Sequence, residues 1–501
     1  MIFSGGSCTR WAGLLMLSMV LWGTALRLNN LDRKSLWADE LFTLAIAQYQ
    51  PLIPKIGQPL YRQIQVVDIG DDDSFLTAKA AEQSPPLYDL LVKATLNLPV
   101  NMEVSSRLPA ALSSCLLLFW FAAFAWRHPD PRVRRVLRWA TVLVALHPAL
   151  VLYAQEGRAY GLGTSLVGMG GLLWALRWRN GWREWEPPGW VEIAFLTLAC
   201  YSHYNAALLV AMLMVPDAVM ATKTRSARAW IRLLTLGAVF SIWLTLNAHA
   251  IFFTAQGAVG WIAPDLVDSY ERVYDNMIAA LHPQWLAFTI ALLGYLSLVR
   301  WRERKLRWWD DCLLQPWVLA SLIVLYLAFS NAMLFTAGME HPRYYVFIIP
   351  FVALMMGLVL AELRHKGLAA GALLLLLASA APNATLMARE GNDNFRSMGW
   401  AASNGSNQKT HFLFPWKPNR NLYRLYLQRF LGYDPLANMI SVSSEDQADQ
   451  VCEQIKGYPH LVALGHASGQ AIINAAYAAC GKNWLKREQK DFHQTFTEHW
   501  R

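Results

Sequence analysis

The chain has 501 residues, of which 55% are hydrophobic and only 16% charged. A soluble protein averages about 25% charged residues, so this chain lacks the polar side chains to cover a soluble surface of its size. That excludes an ordinary cytosolic enzyme, a disordered chain and a fibrous one, and it points to a membrane protein with many spans. The 44 basic and 35 acidic residues leave a net charge of +9. In a membrane protein that excess first reports which side of the bilayer the cations occupy, rather than a nucleic-acid partner.

A span needs roughly 20 mostly apolar residues. Windows of that kind predict about eleven of them, at 11–28, 108–126, 139–154, 160–176, 189–202, 204–221, 230–247, 285–299, 314–337, 344–363 and 368–386. The first resembles a signal peptide, but no small-x-small cleavage site follows it, so it reads as an uncleaved anchor. The alternate short connections gather the cations, notably Arg127, Arg132, Arg134, Arg135 and Arg138, then Arg300, Arg302, Arg304, Lys305 and Arg307. With Arg10, Arg177, Arg179, Arg183, Lys223, Arg225, Arg228, Arg364 and Lys366, 19 of the 44 cations fall on one side. The positive-inside rule makes that side cytoplasmic. The opposite short loops hold few, Arg158 and Arg343 among them. This topology places the N-terminus in the cytoplasm and the C-terminus outside, in a multi-pass membrane protein. It leaves three large pieces outside: a loop at 29–107, a loop at 248–284 and a tail at 387–501.

In the first external loop, Trp37-Ala38-Asp39-Glu40-Leu41 places two adjacent carboxylates at the start of an apolar run. Three readings compete: acids capping a helix N-terminus, a surface pair, and a catalytic base near a lipid head group. Asp71-Asp72-Asp73 reads as a solvated turn, with a metal site as the minor alternative. Pro85-Pro86 opens a predicted helix, since proline is tolerated in the first turn. Leu87, Leu90, Leu91, Ala94 and Leu98 then mark an apolar stripe of a helix lying in the interface plane.

Outer ends of spans carry more charge than apolar segments should. Tyr153-Ala154-Gln155-Glu156-Gly157-Arg158-Ala159-Tyr160 forms one tight turn, His203-Tyr204 another and His341-Pro342-Arg343-Tyr344-Tyr345 a third. Glu156 and Arg158 read either as a local ion pair or as an anion-binding Arg with a carboxylate that positions the ligand. A lone Arg343 could simply snorkel. Two Arg, two His, several Tyr and two or three carboxylates at one membrane face suit a lipid-anchored phosphate.

Beyond 387 the apolar excess fades. Short apolar runs at His411–Phe414, Met439–Val442 and His460–Leu464 alternate with helix-like stretches at 419–431, 445–456 and 468–480. That rhythm predicts a small α/β domain, with a domain boundary between 1–386 and 387–501. Cys8, Cys115, Cys200 and Cys312 lie in or beside spans, where a thiol behaves as a small hydrophobe. Cys452 and Cys480 share the external tail and are disulfide candidates. No cysteine spacing suggests zinc.

Taken in order, Asp39-Glu40 after the first span, Pro85-Pro86-Leu87-Tyr88, Arg107-Leu108-Pro109, the Tyr-Ala-Gln-Glu-x-Arg-x-Tyr of 153–160 and Arg343-Tyr344-Tyr345 before a span make a pattern. It resembles the GT-C membrane glycosyltransferases, in particular the bacterial relatives of the protein O-mannosyltransferases and of the lipid A aminoarabinose transferase. The resemblance covers about residues 10–390. It implies an all-α polytopic membrane fold of GT-C type in the inner (plasma) membrane of the cell envelope, with the tail as a small extracytoplasmic α/β domain. It also implies transfer of a sugar from a polyprenyl-phosphate carrier such as undecaprenyl phosphate to a glycan, lipid or protein acceptor in the periplasm, with inversion. Carried over, Asp39 is the general base with Glu40 beside it, and Glu156 the second acidic residue. Arg158 and Arg343 hold the carrier phosphate, and Tyr88, Tyr160, His203, Tyr204, His341 and Tyr344 line the carrier or sugar site. Some branches bind a divalent metal; no ligand spacing in the sequence demands one. The competing class is a polytopic lipid or glycan transporter, which should carry broken helices and polar groups near mid-bilayer.

Overall fold

The computed structural model describes residues 5–49, 51–55, 73–82, 84–178, 185–248, 322–323, 326, 342–362, 367, 371, 395–404, 406–415, 417–442, 451–453, 461–466, 470–479, 486–492 and 495–500. The chain divides into two compact units. The first comprises Met1–Asn29, Gln83–Leu91 and Arg107–Ala388; the second comprises Asn30–Glu82, Val92–Ser106 and Arg389–Arg501.

The helices in chain order are α1 (Gly5–Leu28), α2 (Ala38–Gln48), α3 (Phe75–Ala81), α4 (Leu87–Thr95), α5 (Met102–Arg127), α6 (Pro131–Leu146), α7 (Pro148–Ala154), α8 (Ala159–Arg177), α9 (Trp190–Cys200), α10 (Tyr204–Lys223), α11 (Ala227–Leu246) and α12 (Ile349–Glu362), the last preceded by a 3-10 turn, Pro342–Ile348. Among the described residues five helices are long and apolar enough to cross a membrane: Met102–Arg127, Ala159–Arg177, Tyr204–Lys223, Ala227–Leu246 and Arg343–Ala361. The predicted spans at 285–299, 314–337 and 368–386, and the loop at 248–284, fall almost wholly outside the described residues. The predicted span at 189–202 is an eleven-residue helix, Trp190–Cys200, shorter than a full crossing.

The predicted span 139–154 is two helices, α6 and α7, bent by 56° at His147-Pro148. Proline breaks the ladder because it has no N–H to return to the carbonyl four residues earlier, here Val144. Arg27, fully buried at the end of α1, fills the gap. Its Nη2 donates to the Val144 carbonyl at 2.8 Å and its Nη1 to the Ala145 carbonyl at 2.9 Å. Nη1 also reaches its own helix at Gly23 O (2.9 Å), and Nε reaches Ser114 Oγ on α5 at 2.7 Å. Gly23 permits the approach: a Cβ there would stand 2.8 Å from the Ala145 oxygen. One guanidinium thus ties α1, α5 and the broken α6 together. Arg27→Leu leaves these carbonyls without donors in an apolar medium, at about 1–3 kcal/mol each. The expected outcome is a stability loss of about 3 kcal/mol or more, read as a lowered melting temperature of the detergent-solubilised protein.

α8 lies at the centre of the first unit, with nearly every side chain buried, whereas α11 exposes Ile231, Leu234 and Ile242 as a lipid-facing helix would. Arg177 ends α8 with its guanidinium buried. It donates to Asp217 at 2.6 and 2.7 Å and to Glu192 at 2.7 and 3.1 Å. Trp178 and Trp185 also donate to Asp217. The sequence reading counts Arg177 as a loop cation. In the structure it neutralises the two carboxylates that α9 and α10 carry into the bundle, as buried charges must be.

In the second unit, a five-stranded sheet runs in the order β2-β1-β3-β5-β4, with β1 His411–Pro415, β2 Met439–Val442, β3 Leu461–His466, β4 Lys486–Phe492 and β5 Thr495–Trp500. β2, β1 and β3 are parallel; β5 and β4 are antiparallel. α13 (Phe395–Ser403), α14 (Lys417–Leu431) and α15 (Gln470–Ala479) accompany them. Leu461–Leu464 is fully buried, as a central strand covered on both faces requires. β4 has no counterpart in the sequence reading. Its Lys486-Arg487-Glu488-Gln489-Lys490-Asp491 is too polar to signal a strand, and such charges suit an edge strand that must not pair further.

α4 carries four of the five predicted stripe positions, and Leu98 lies beyond its end. Tyr88, Asp89 and Val92 are its buried residues, while Leu87, Leu90 and Leu91 are half-buried and Ala94 and Leu98 exposed. The apolar stripe is the outward face, as an interfacial helix presents to a bilayer.

Candidate functional site

Residues of the first unit assemble around the α7–α8 turn. Gln155 Nε2 donates to Leu26 O at 2.5 Å and Asn29 O at 3.2 Å, fixing the turn to the end of α1. The Arg158 N–H donates to Glu156 O at 2.8 Å, and Tyr88 OH reaches the same carbonyl at 3.5 Å. The turn delivers Arg158 to the N-cap of α8 and Tyr160 to its first turn.

Tyr160 is the hub of an aromatic cluster. Its ring centroid lies 5.7 Å from Tyr153, 5.0 Å from His203, 6.2 Å from Tyr344 and 6.4 Å from Phe347. Arg343 Cζ stands 5.7 Å from the Tyr160 ring and 5.6 Å from the Tyr344 ring, within cation–π range of both. The 3-10 turn is held in place by Asn205 Nδ2 and Tyr326 OH, which donate to Tyr344 O at 3.2 and 3.0 Å. Gly163 lets α8 close on it, since a Cβ there would meet Phe347 at 2.9 Å and Ser202 Oγ at 2.7 Å.

His203 caps α10: its Nδ1 accepts the Asn205 N–H at 3.1 Å. In a neutral imidazole that places the ring proton on Nε2, so His203 can donate to a ligand oxygen. Its ring packs 4.9 Å from Phe347. Tyr204 is committed to structure instead. Its hydroxyl donates to Asn247 Oδ1 at 2.7 Å and accepts from Trp243 Nε1 at 3.1 Å, tying α10 to α11.

The second unit separates the roles of the two adjacent carboxylates. α2 begins after Trp37, whose N–H donates to Glu40 Oε2 at 3.2 Å. Glu40 is fully buried and caps its own helix; Asp39, one residue earlier, is half-buried. Both acids stand in the first turn of α2, and Glu40 closes on the cap.

No three His, Cys, Asp or Glu side chains among the described residues are grouped to hold a metal ion. His341 and Cys480 lie outside the described residues. Cys452 is a buried free thiol rather than half of a described disulfide. Of the acidic run, Asp73 lies at a bend and its two predecessors fall outside the described residues.

The sequence reading missed Arg27 and the partners of Glu103. Arg27 reads as an ordinary cation ending a span, and Glu103 as an ordinary acid in the first turn of α5. Glu103 is in fact fully buried and receives Arg429 Nη1 on both oxygens at 2.8 Å and Tyr426 OH at 3.4 Å.

No protein-family model matches the chain, and no curated protein matches it in sequence. Solved structures do. ArnT from Cupriavidus metallidurans in the apo state aligns with a TM-score of 0.54 at 13% identity, over 98% of each chain. The same protein bound to undecaprenyl phosphate aligns with a TM-score of 0.53, again at 13% identity and 98% coverage of each chain. The chain has the ArnT fold, which is the GT-C fold that the motif order implies.

Proposed function

We propose that the chain is an integral-membrane glycosyltransferase that moves a sugar from a polyprenyl-phosphate carrier to an acceptor on the extracytoplasmic side. The observation that carries this reading is Arg343 within cation–π range of both Tyr160 and Tyr344, with His203 beside Tyr160, at the N-terminus of α8. A guanidinium within cation–π range of two rings, a second arginine at the helix N-cap and the positive end of the helix suit a lipid-linked phosphate. The related fold solved with undecaprenyl phosphate bound supports the same ligand class.

In the reaction, the sugar C1–O bond to the carrier phosphate breaks as a bond from C1 to the acceptor oxygen forms, with inversion. The phosphate leaves as an anion and needs cationic stabilisation rather than a proton; Arg158 and Arg343 supply it, with His203 donating from Nε2. The acceptor hydroxyl loses its proton, and Asp39 accepts it. Glu156 orients the sugar, Tyr88 and Tyr160 line its site, and Glu40 holds the helix that carries Asp39. In this reading the N-terminus is cytoplasmic, and the large loops and the tail are outside.

The test supplies membranes containing the protein with a labelled undecaprenyl-phosphate sugar and follows the label by mass spectrometry of envelope glycans and lipids. Consumption of the carrier sugar, absent from membranes without the protein, is the expected result. A carrier that is flipped across the membrane but never consumed would instead identify a transporter.

A further inference from the structure

We propose that the C-terminal segment is a positioning clamp for the Asp39 loop, acting through Tyr426, Arg429 and Arg396 around the buried carboxylate of Glu103. All these groups belong to the second unit. The part of the proposal that concerns turnover rests on the reading of Asp39 as the base.

Three main-chain groups and one side chain just ahead of Asp39 are gripped from the tail. Arg396 Nη1 donates to Asp32 O at 2.8 Å, and its Nη2 donates to Arg33 O. The Arg396 N–H donates to Ser35 Oγ at 3.0 Å. The Leu36 N–H donates to Tyr426 OH at 2.9 Å. Trp37, the helix cap, follows directly, and Asp39 is two residues further on. The grip is itself anchored. Tyr426 OH donates a hydrogen bond to Glu103 Oε1 at 3.4 Å, Arg429 Nη1 donates to both Glu103 oxygens at 2.8 Å, and Arg396 Nη1 lies 3.6 Å from Glu103 Oε1. Leu36 and Glu103 are fully buried and Tyr426 almost so, whereas Arg429 and Arg396 are about one-third exposed.

The chemistry favours a fixed arrangement. Burial, and then the neighbouring Glu103 charge, push the Tyr426 phenol up. It therefore stays protonated, accepting from Leu36 while donating to Glu103. Water cannot readily replace it at a fully buried N–H, so loss of the hydroxyl frees the strand rather than rehydrating it. A general base works only while held in a near-attack position, and a displacement of about 1 Å costs roughly 10²-fold. The gripped segment 32–36 lies within the connection 29–37 between α1 and α2, so holding it sets the start of the helix that bears Asp39.

The test compares full-length wild type with Tyr426→Phe, Arg429→Gln and Arg429→Lys, with Arg424→Gln as control. Arg424 lies on the same helix but pairs with Asp434, away from Glu103. The first measurement is hydrogen–deuterium exchange over residues 35–41, which needs no substrate. Tyr426→Phe is expected to speed exchange of the Leu36 amide roughly tenfold or more, Arg429→Gln less, and Arg429→Lys and Arg424→Gln little. The second is transfer kinetics: kcat is expected to fall about tenfold in Tyr426→Phe while KM for the carrier sugar stays within twofold, with Arg429→Lys recovering most of the loss of Arg429→Gln. A clamp that only stabilised the fold would not separate kcat from KM in this way.

Unchanged exchange over 35–41 in both Tyr426→Phe and Arg429→Gln would overturn the clamp. Faster exchange with unaltered kcat would overturn its role in positioning. Should Tyr426→Phe fail to fold, the exposed Arg429 pair carries both measurements. If wild type transfers no sugar, the glycosyltransferase reading fails, and exchange still decides whether the tail holds the loop.

Discussion

Asp39→Asn is expected to lower sugar transfer by roughly 10²–10⁴-fold, the range a positioned general base contributes. The amide is nearly isosteric, so it preserves the half-buried site at the start of α2 while removing the proton acceptor. The structure sharpens this expectation by separating Asp39 from its neighbour. Glu40 is fully buried with its carboxylate on the Trp37 N–H, so Glu40→Gln should destabilise the start of α2 by about 1 kcal/mol and reduce turnover through the loop. The two variants therefore differ in kind. Asp39→Asn keeps the melting temperature and the KM for the carrier while losing kcat, whereas Glu40→Gln lowers the melting temperature. Full transfer by Asp39→Asn in membranes supplied with labelled polyprenyl-phosphate sugar would reject Asp39 as the base.

Arg343→Ala is expected to reduce kcat/KM for the carrier sugar by roughly 10²–10³-fold, the cost of removing one preorganised donor to a developing anion. The preorganisation is visible in the packing. Both the Tyr160 and Tyr344 rings lie under the guanidinium, and the turn that bears Arg343 is fixed through the Tyr344 carbonyl by Asn205 and Tyr326. Arg343→Lys should recover part of the loss, since a point charge remains but the planar fork and its ring contacts do not. Both variants should bind a neutral lipid analogue as wild type does, because the charge acts only on the phosphate. Equal turnover by Arg343→Ala and wild type would remove this residue from the phosphate site.

Much of this was legible in the residues. A shortage of charge and apolar windows of span length mark a membrane protein, and the described helices at Met102–Arg127, Ala159–Arg177, Tyr204–Lys223, Ala227–Leu246 and Arg343–Ala361 stand where five of those windows fall. The apolar runs beginning at His411, Met439 and His460 fall where β1, β2 and β3 stand, and the central strand β3 is buried along Leu461–Leu464. The turn at Gln155–Arg158 and the pairing of Arg343 with tyrosines are local, so short motifs carry them.

What failed to show was long-range or polar. Pro148 is plain in the sequence, but the 56° bend and its rescue by Arg27 join residues 117 and 118 positions apart. The β4–β5 hairpin is masked because an edge strand can be charged without penalty. Arg177 counts as a topology signal until its two buried carboxylates are seen.

By itself, then, the sequence determined the class of protein, the order of its motifs and the short list of charged groups that an apolar chain would not retain without use. Hydropathy and turn chemistry act over a few residues, so one dimension suffices for them. Only the tertiary structure decided the division of labour within that list. Glu40 caps its own helix, Tyr204 braces two helices while the His203 Nδ1 accepts from Asn205, and Glu103 pairs with Arg429 and Tyr426 more than 300 residues later. Burial and hydrogen-bond partners set those roles, and neither quantity exists until the chain has closed on itself.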